Sequence, residues 1–150
     1  MTKRSAADEI AQCTCLRLRK ATRRVTQIYD RTLEPAGLTI AQFSLLASLF
    51  DGEGLSVGEL AEALVTDPTT LTRNLKPLLD RGFLQVFVDP DDGRRRLIRL
   101  TNTGRAIVPK AYPLWRKAQA QVTALLGETE TALLNKALDQ SLERLIDRAN

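Results

Sequence analysis

Residues 56–100 read SVGELAEALVTDPTTLTRNLKPLLDRGFLQVFVDPDDGRRRLIRL, and the order of local signals within them decides the architecture. Ser56, with Glu59 three residues later, is a capping-box pattern, and Val57, Leu60, Ala61 and Leu64 follow at helical spacing. Val65 and Thr66 then leave room for only a tight connection. Asp67 suits an N-cap, with Pro68 at the first helical position, where a missing N–H costs little. The helix that starts there has an apolar stripe of Leu71, Leu75, Leu78 and Leu79, which leaves Thr69, Thr70, Thr72, Arg73 and Lys76 off the core side. Gly82 ends it. The period then switches to that of a strand, with Leu84, Val86 and Val88 alternating against Gln85 and Phe87. Asp89-Pro90-Asp91-Asp92-Gly93 is dense in turn formers, and Arg94-Arg95-Arg96 leads into Leu97, Ile98 and Leu100. The expectation is a hairpin with a charged tip, packed on the helices because two strands alone are marginal.

Working outward, Ala6 to about Leu33 is expected to form one long helix, with Cys15, Leu18, Thr22, Val25 and Tyr29 on one face and a stop near Pro35 and Gly37. Thr39 precedes a short buried helix containing Phe43, Leu45, Leu46 and Leu49, which ends in the breaker run Asp51-Gly52-Glu53-Gly54. Thr101 caps a final region where Ile107, Ala111, Leu114, Ala118, Val122 and Leu125 keep helical spacing until Gly127 interrupts. A last helix follows, with Leu134, Leu138, Leu142, Leu145 and Ile146 near one face. Pro77, Pro109 and Pro113 fall inside expected helices and should kink or break them. The fold class is therefore mainly α with a small β-hairpin wing. A winged helix-turn-helix lobe at 37–100 sits between long helices at 6–36 and 101–150 in a single domain, 1–150.

The bulk numbers narrow the function. A chain of 150 residues that is 43% hydrophobic suits one globular domain, and a net charge of +4 mildly favours an anionic partner. No apolar run approaches the roughly 20 residues of a membrane span, and MTKRSAADEI lacks a secretory apolar core, so a cytoplasmic protein without membrane contact is expected. There is no His for acid-base or metal work, two thiols make no zinc set, and no phosphate-binding glycine motif occurs. An enzyme is disfavoured, and no metal or cofactor is expected.

Helix, tight turn, helix and hairpin in that order are the layout of a helix-turn-helix with a wing. The second helix offers hydroxyls and cations at Thr69, Thr70, Thr72, Arg73 and Lys76, the groups that contact phosphates and base edges in a major groove, and its N-terminal dipole would favour phosphate. The wing adds Arg94, Arg95 and Arg96, one of which can enter an adjacent minor groove, with Asp92 placed to orient Arg94. The basic run Arg17, Arg19, Lys20, Arg23 and Arg24 reads instead as a solvated or ion-paired face.

The segments LSVGELAEAL (55–64), TDPTTLTRNLKPLLDRGFL (66–84) and DPDDGRRRLIRLTNTGR (89–105) resemble the MarR-type regulators of multiple antibiotic resistance, and the likeness extends over nearly the whole chain. Asp92 and Arg94, followed by Leu100, Thr101 and Gly104, are its most specific part. The resemblance implies a homodimer interlocked through its first and last helices, bound to a pseudo-palindromic operator in double-stranded DNA. It implies a transcription regulator, usually a repressor, with Thr69, Thr70, Thr72, Arg73, Lys76, Asp92, Arg94 and Arg95 at the DNA. Pro77 departs from the charged residue expected there, which puts any DNA contact by Arg81 in doubt. A winged-helix protein-interaction module without DNA binding is the alternative of the same fold.

Some relatives in the family bind small aromatic or phenolic effectors between the dimer helices and the DNA-binding lobe; Phe43, Tyr112 and Trp115 are the aromatic candidates here, against a plainer role in core or interface. Others sense peroxides through a first-helix cysteine, the position Cys15 resembles. Arg19 stands one turn on, but Ile40 and Phe43 replace the assisting tyrosines. The plainer reading of Cys15 is a small buried residue in a helix seam. Cys13 and Cys15, two apart on a helix, point to nearly opposite faces, so a disulfide between them is not expected.

Overall fold

The computed structural model describes residues 5–146; the outermost residues of the expected domain, 1–4 and 147–150, lie outside the described residues. Two helices, α1 (Ala6–Ala11) and α2 (Thr14–Leu33), replace the single long first helix. The break falls at Gln12 and Cys13, with Cys13 as the N-cap of α2 at φ −59 and ψ 122, outside the helical region. Alpha1 buries nothing, so no packing enforces continuity with α2. Cys13 and Cys15 are both free and exposed, so Cys15 is not the small buried seam residue expected.

A 3-10 turn at Glu34–Ala36 and Gly37, in the left-handed region at φ 66, reverse the chain into α3 (Ile40–Ser48). Thr39 and Gln42 form a capping box at its start, and Asp30 of α2 accepts from the Ile40 N–H at 2.8 Å. Then follow α4 (Val57–Ala63), α5 (Pro68–Asp80), β1 (Leu84–Val88), β2 (Arg96–Leu100), α6 (Asn102–Leu126) and α7 (Glu128–Ile146). Alpha5 and α6 continue through Pro77, Pro109 and Pro113 without a break, contrary to the stronger form of the expectation. All three rings lie on exposed positions, where water can take up the carbonyls they leave unpaired.

The core is one cluster, built from Leu33, Leu45, Leu46, Leu49, Leu60, Leu71 and Leu78 with the hairpin residues Leu84, Ile98 and Leu100. Strand alternation does not track burial in β1: Leu84 is buried, but Val86 and Val88 are 52% and 46% exposed. The register explains this. Strand β2 pairs with β1 on one side (Val86 opposite Ile98) and with Leu55 on the other, which makes β1 the edge strand and covers Ile98. Alpha2 and α6 pack along each other and α7 folds back from Gly127, at φ 96. No helix among the described residues is long and apolar enough to cross a membrane.

Candidate nucleic-acid interface

The α4–α5 pair is set by its turn. Leu64 caps α4, Val65 takes a left-handed φ of 49, and the N–H groups of Val65 and Thr66 return to the carbonyls of Glu62 and Ala61 at 3.1 and 2.9 Å. This closes α4 in a Schellman arrangement, with a β-branched residue where glycine is usual. Asp67 then opens α5, its Oδ1 accepting from the Thr70 N–H at 2.8 Å, with Pro68 next. Hydrogen bonds from Thr70, hydroxyl and backbone, hold the Asp67 carboxyl below the usual carboxylate range. An anion thus already occupies this helix N-terminus, so the phosphate site expected from the dipole is opposed by a fixed negative charge.

Leu71, Leu75 and Leu78 bury one face of α5, and Thr69, Thr70, Thr72, Arg73 and Lys76 are all exposed. The Thr72 hydroxyl donates to the Pro68 carbonyl at 2.7 Å, which leaves its oxygen as an acceptor. Lys76 Nζ pairs with Asp80 at 2.8 Å on the surface, whereas the Arg73 guanidinium has no ion-pair partner among the described residues.

The wing is organised from its turn. Asp89, buried at the base, accepts the Asp91 N–H at 2.9 Å, and its own N–H donates to the Arg95 carbonyl at 2.9 Å. Asp92 Oδ1 accepts from the backbone N–H of Arg94 at 3.0 Å, so it shapes the chain at Arg94, whose exposed guanidinium has no ion-pair partner among the described residues. Arg95 behaves differently: it bonds Asp89 Oδ2 at 3.2 Å and the Glu59 carboxylate, bracing the wing against α4. Glu59 also closes the Ser56 capping box, and the Ser56 N–H and hydroxyl, then Arg95, hold its carboxyl below the usual range. Arg95 is raised in turn, chiefly by Glu59. Glu59 was legible only as a capping residue, because nothing local to it signals a partner 36 positions away.

Phe43, Tyr112 and Trp115 do come together: Phe43 lies 6.4 Å from Trp115 and Tyr112 lies 5.7 Å from it, ring centre to ring centre, in stacked orientations. Phe43 is buried, Tyr112 is half exposed, and an open depression beside it is lined by Tyr112, Pro113, Arg116 and Lys117. A more apolar cavity of about 250 Å³ lies elsewhere, between α2, α6 and α7, against Leu18, Val25, Tyr29, Val122 and Leu138. The basic run of α2 is solvated: Arg17, Arg19, Lys20, Arg23 and Arg24 are exposed, and none enters an ion pair among the described residues.

The family model that matches the chain is that of the MarR family, over residues 38–95, which runs from just before α3 to the wing tip. The chain is 31% identical over 126 residues to the HTH-type transcriptional repressor NicR of Pseudomonas putida, spanning 81% of this chain and 80% of that one. Among solved structures it resembles the M. tuberculosis transcriptional regulator MosR in complex with DNA, with a TM-score of 0.70 and 40% identity over 87% of this chain and 98% of that chain. It likewise resembles Bordetella bronchiseptica BpsR, whose structure concerns regulation of DNA binding by 6-hydroxynicotinic acid, with a TM-score of 0.78 and 28% identity over 87% and 94%. With the helix-turn-helix, the wing and the long flanking helices in place, the chain belongs to the MarR family.

Proposed function

We propose that the chain is a transcription regulator that binds duplex DNA sequence-specifically as a homodimer, with α5 in the major groove and the wing tip in the adjacent minor groove. The observation that carries this reading is the exposed polar face of α5 combined with an exposed Arg94 guanidinium that has no ion-pair partner among the described residues. The lobe at 37–100 makes the contact, and residues 6–36 and 101–150 form the dimer. Leu125, Leu126, Leu133, Leu134, Leu142, Leu145 and Ile146 are exposed on α6 and α7, the surface a second copy covers. Repression in the cytoplasm, relieved by a small aromatic effector, is the mode we assign. The half-exposed Tyr112 ring beside Arg116 and Lys117 suits an aromatic acid.

Gel shifts against genomic fragments at two salt concentrations test the reading, with sedimentation to establish the dimer against a 16.7 kDa monomer. Arg73→Ala should cost about 1–3 kcal/mol on the recovered operator and relax preference at one base position per half-site. The half-sites should be inverted and centred about 10 base pairs apart. Absence of salt-sensitive binding would leave a protein-interaction module. The exposure of both thiols favours a second reading, regulation by oxidation at Cys15. Release from DNA by an organic hydroperoxide, abolished in Cys15→Ser but not in Cys13→Ser, would establish it.

A further inference from the structure

Three residues after α5, Arg81-Gly82-Phe83, are held from two sides. The helix closes in a Schellman motif, with the Gly82 and Phe83 N–H groups donating to the carbonyls of Leu79 and Leu78, both at 2.9 Å, and Gly82 left-handed at φ 69. From one side, Arg81 Nη1 donates to the Gly37 carbonyl at 2.6 Å, at the turn that ends α2, while its guanidinium lies 4.5 Å over the Phe83 ring. From the other side, the Thr101 hydroxyl donates to the Gly82 carbonyl at 2.6 Å and the Thr101 N–H to the Phe83 carbonyl at 3.0 Å, at the start of α6. Gly104 lets α6 approach that carbonyl so closely that a Cβ would stand 2.0 Å from it. The end of α5 is therefore clamped between the two flanking helices.

We propose that Arg81 is a positioning residue for DNA binding, tying the C-terminus of α5 to the end of α2 and so fixing the angle at which each α5 leaves the dimer. The inference rests on α5 being the DNA-reading helix. Its consequence is strict half-site spacing, since two helices held rigidly to one frame accept only one separation along the duplex. Arg81 does this without touching DNA. Its side-chain hydrogen bond reaches a residue 44 positions away at the end of α2, whereas the Thr101 side of the clamp grips Gly82 and Phe83, one and two positions further from α5, and ties them to α6 instead.

The test compares wild type, Arg81→Met and Arg81→Lys on an operator recovered by the wild-type dimer and on versions with one central base pair inserted or deleted. Methionine keeps a stem over Phe83 and removes the donor, and the thermal midpoint and dimer mass establish that the variant is folded. Wild type should lose at least about tenfold in affinity when the spacing changes, the size expected of a lost or mismatched specific contact in each half-site. In Arg81→Met that ratio should fall to about threefold or less, and Arg81→Lys, which retains a charged donor, should recover most of it. Removing a positive charge weakens binding equally at every spacing, so the ratio isolates positioning from electrostatics. A ratio unchanged in a folded Arg81→Met dimer would overturn the proposal. Wild type that binds no DNA fragment would overturn the reading beneath it.

Discussion

Deleting the Arg94 side chain is the sharpest probe of the wing, because Arg94 and Arg95 are neighbours in sequence with opposite circumstances. Arg95 is engaged by Glu59 and Asp89, whereas Arg94 has its backbone N–H tied to Asp92 and its guanidinium in no ion pair among the described residues. Each phosphate charge neutralised by a protein cation contributes about 0.9 to the slope of log affinity against log salt. A dimer presents two Arg94 side chains, so Arg94→Ala should flatten the slope by about 1.8. Over a fourfold rise in salt, from about 50 to 200 mM, wild type should lose about twelvefold more affinity than the variant does. Anisotropy titrations at four salt concentrations, on operator and on unrelated duplex, measure it, and the loss should be similar on both, because a minor-groove guanidinium reads width and charge. Arg95→Ala should instead lower the thermal midpoint by freeing the wing from α4. If Arg94→Ala left slope and affinity unchanged in a folded dimer, the wing would not be a DNA contact. Asp92 would then serve only to shape the hairpin.

Three further outcomes follow from the fold. Gly104→Ala should destabilise by at least about 2 kcal/mol in denaturant, because the new Cβ would collide with the Phe83 backbone, and a change under about 0.5 kcal/mol would contradict that close approach. Val65→Gly should be neutral or stabilising by up to about 1 kcal/mol. It relieves a β-branched residue at φ 49, with the greater unfolded-state freedom of glycine partly offsetting the gain; a loss above about 1 kcal/mol would show that the valine side chain contributes packing instead. Glu59, depressed by Ser56 and Arg95, contributes stability that is present above the unfolded carboxyl pKa of about 4.3 and is lost as pH falls through its lower folded value. Glu59→Gln should therefore melt lower than wild type at pH 7, with the gap closing below about pH 4, and a gap constant from pH 7 to 3 would rule out the ionised carboxylate as its source.

Much was legible because it is local. Capping residues at Ser56, Asp67 and Thr101 and the glycines at 37, 82 and 127 mark element ends through hydrogen bonds and dihedral preferences that span only a few positions, and the structure places helix boundaries at each. The apolar stripe of α5 was equally readable, so its exposed face was too. Local rules also misled: helical periodicity ran through Gln12 and Cys13, where no packing sustains a helix, and three prolines that should disturb helices sit where solvent tolerates them.

Sequence by itself determined the order of elements, the winged helix-turn-helix within it and which side chains α5 turns outward, since period and capping are short-range properties of the chain. Tertiary structure alone decided which charges are free. Spacing from Asp92 singles out Arg94 within the run Arg94-Arg95-Arg96, but only the packing of the wing against α4 gives Arg95 the carboxylates of Glu59 and Asp89 and leaves Arg94 without an ion-pair partner among the described residues. The same holds for Arg81, whose partner Gly37 lies across the fold, and for the stacking of Phe43 on Trp115. Contacts between residues tens of positions apart depend on how whole elements pack, and local propensity carries no record of that.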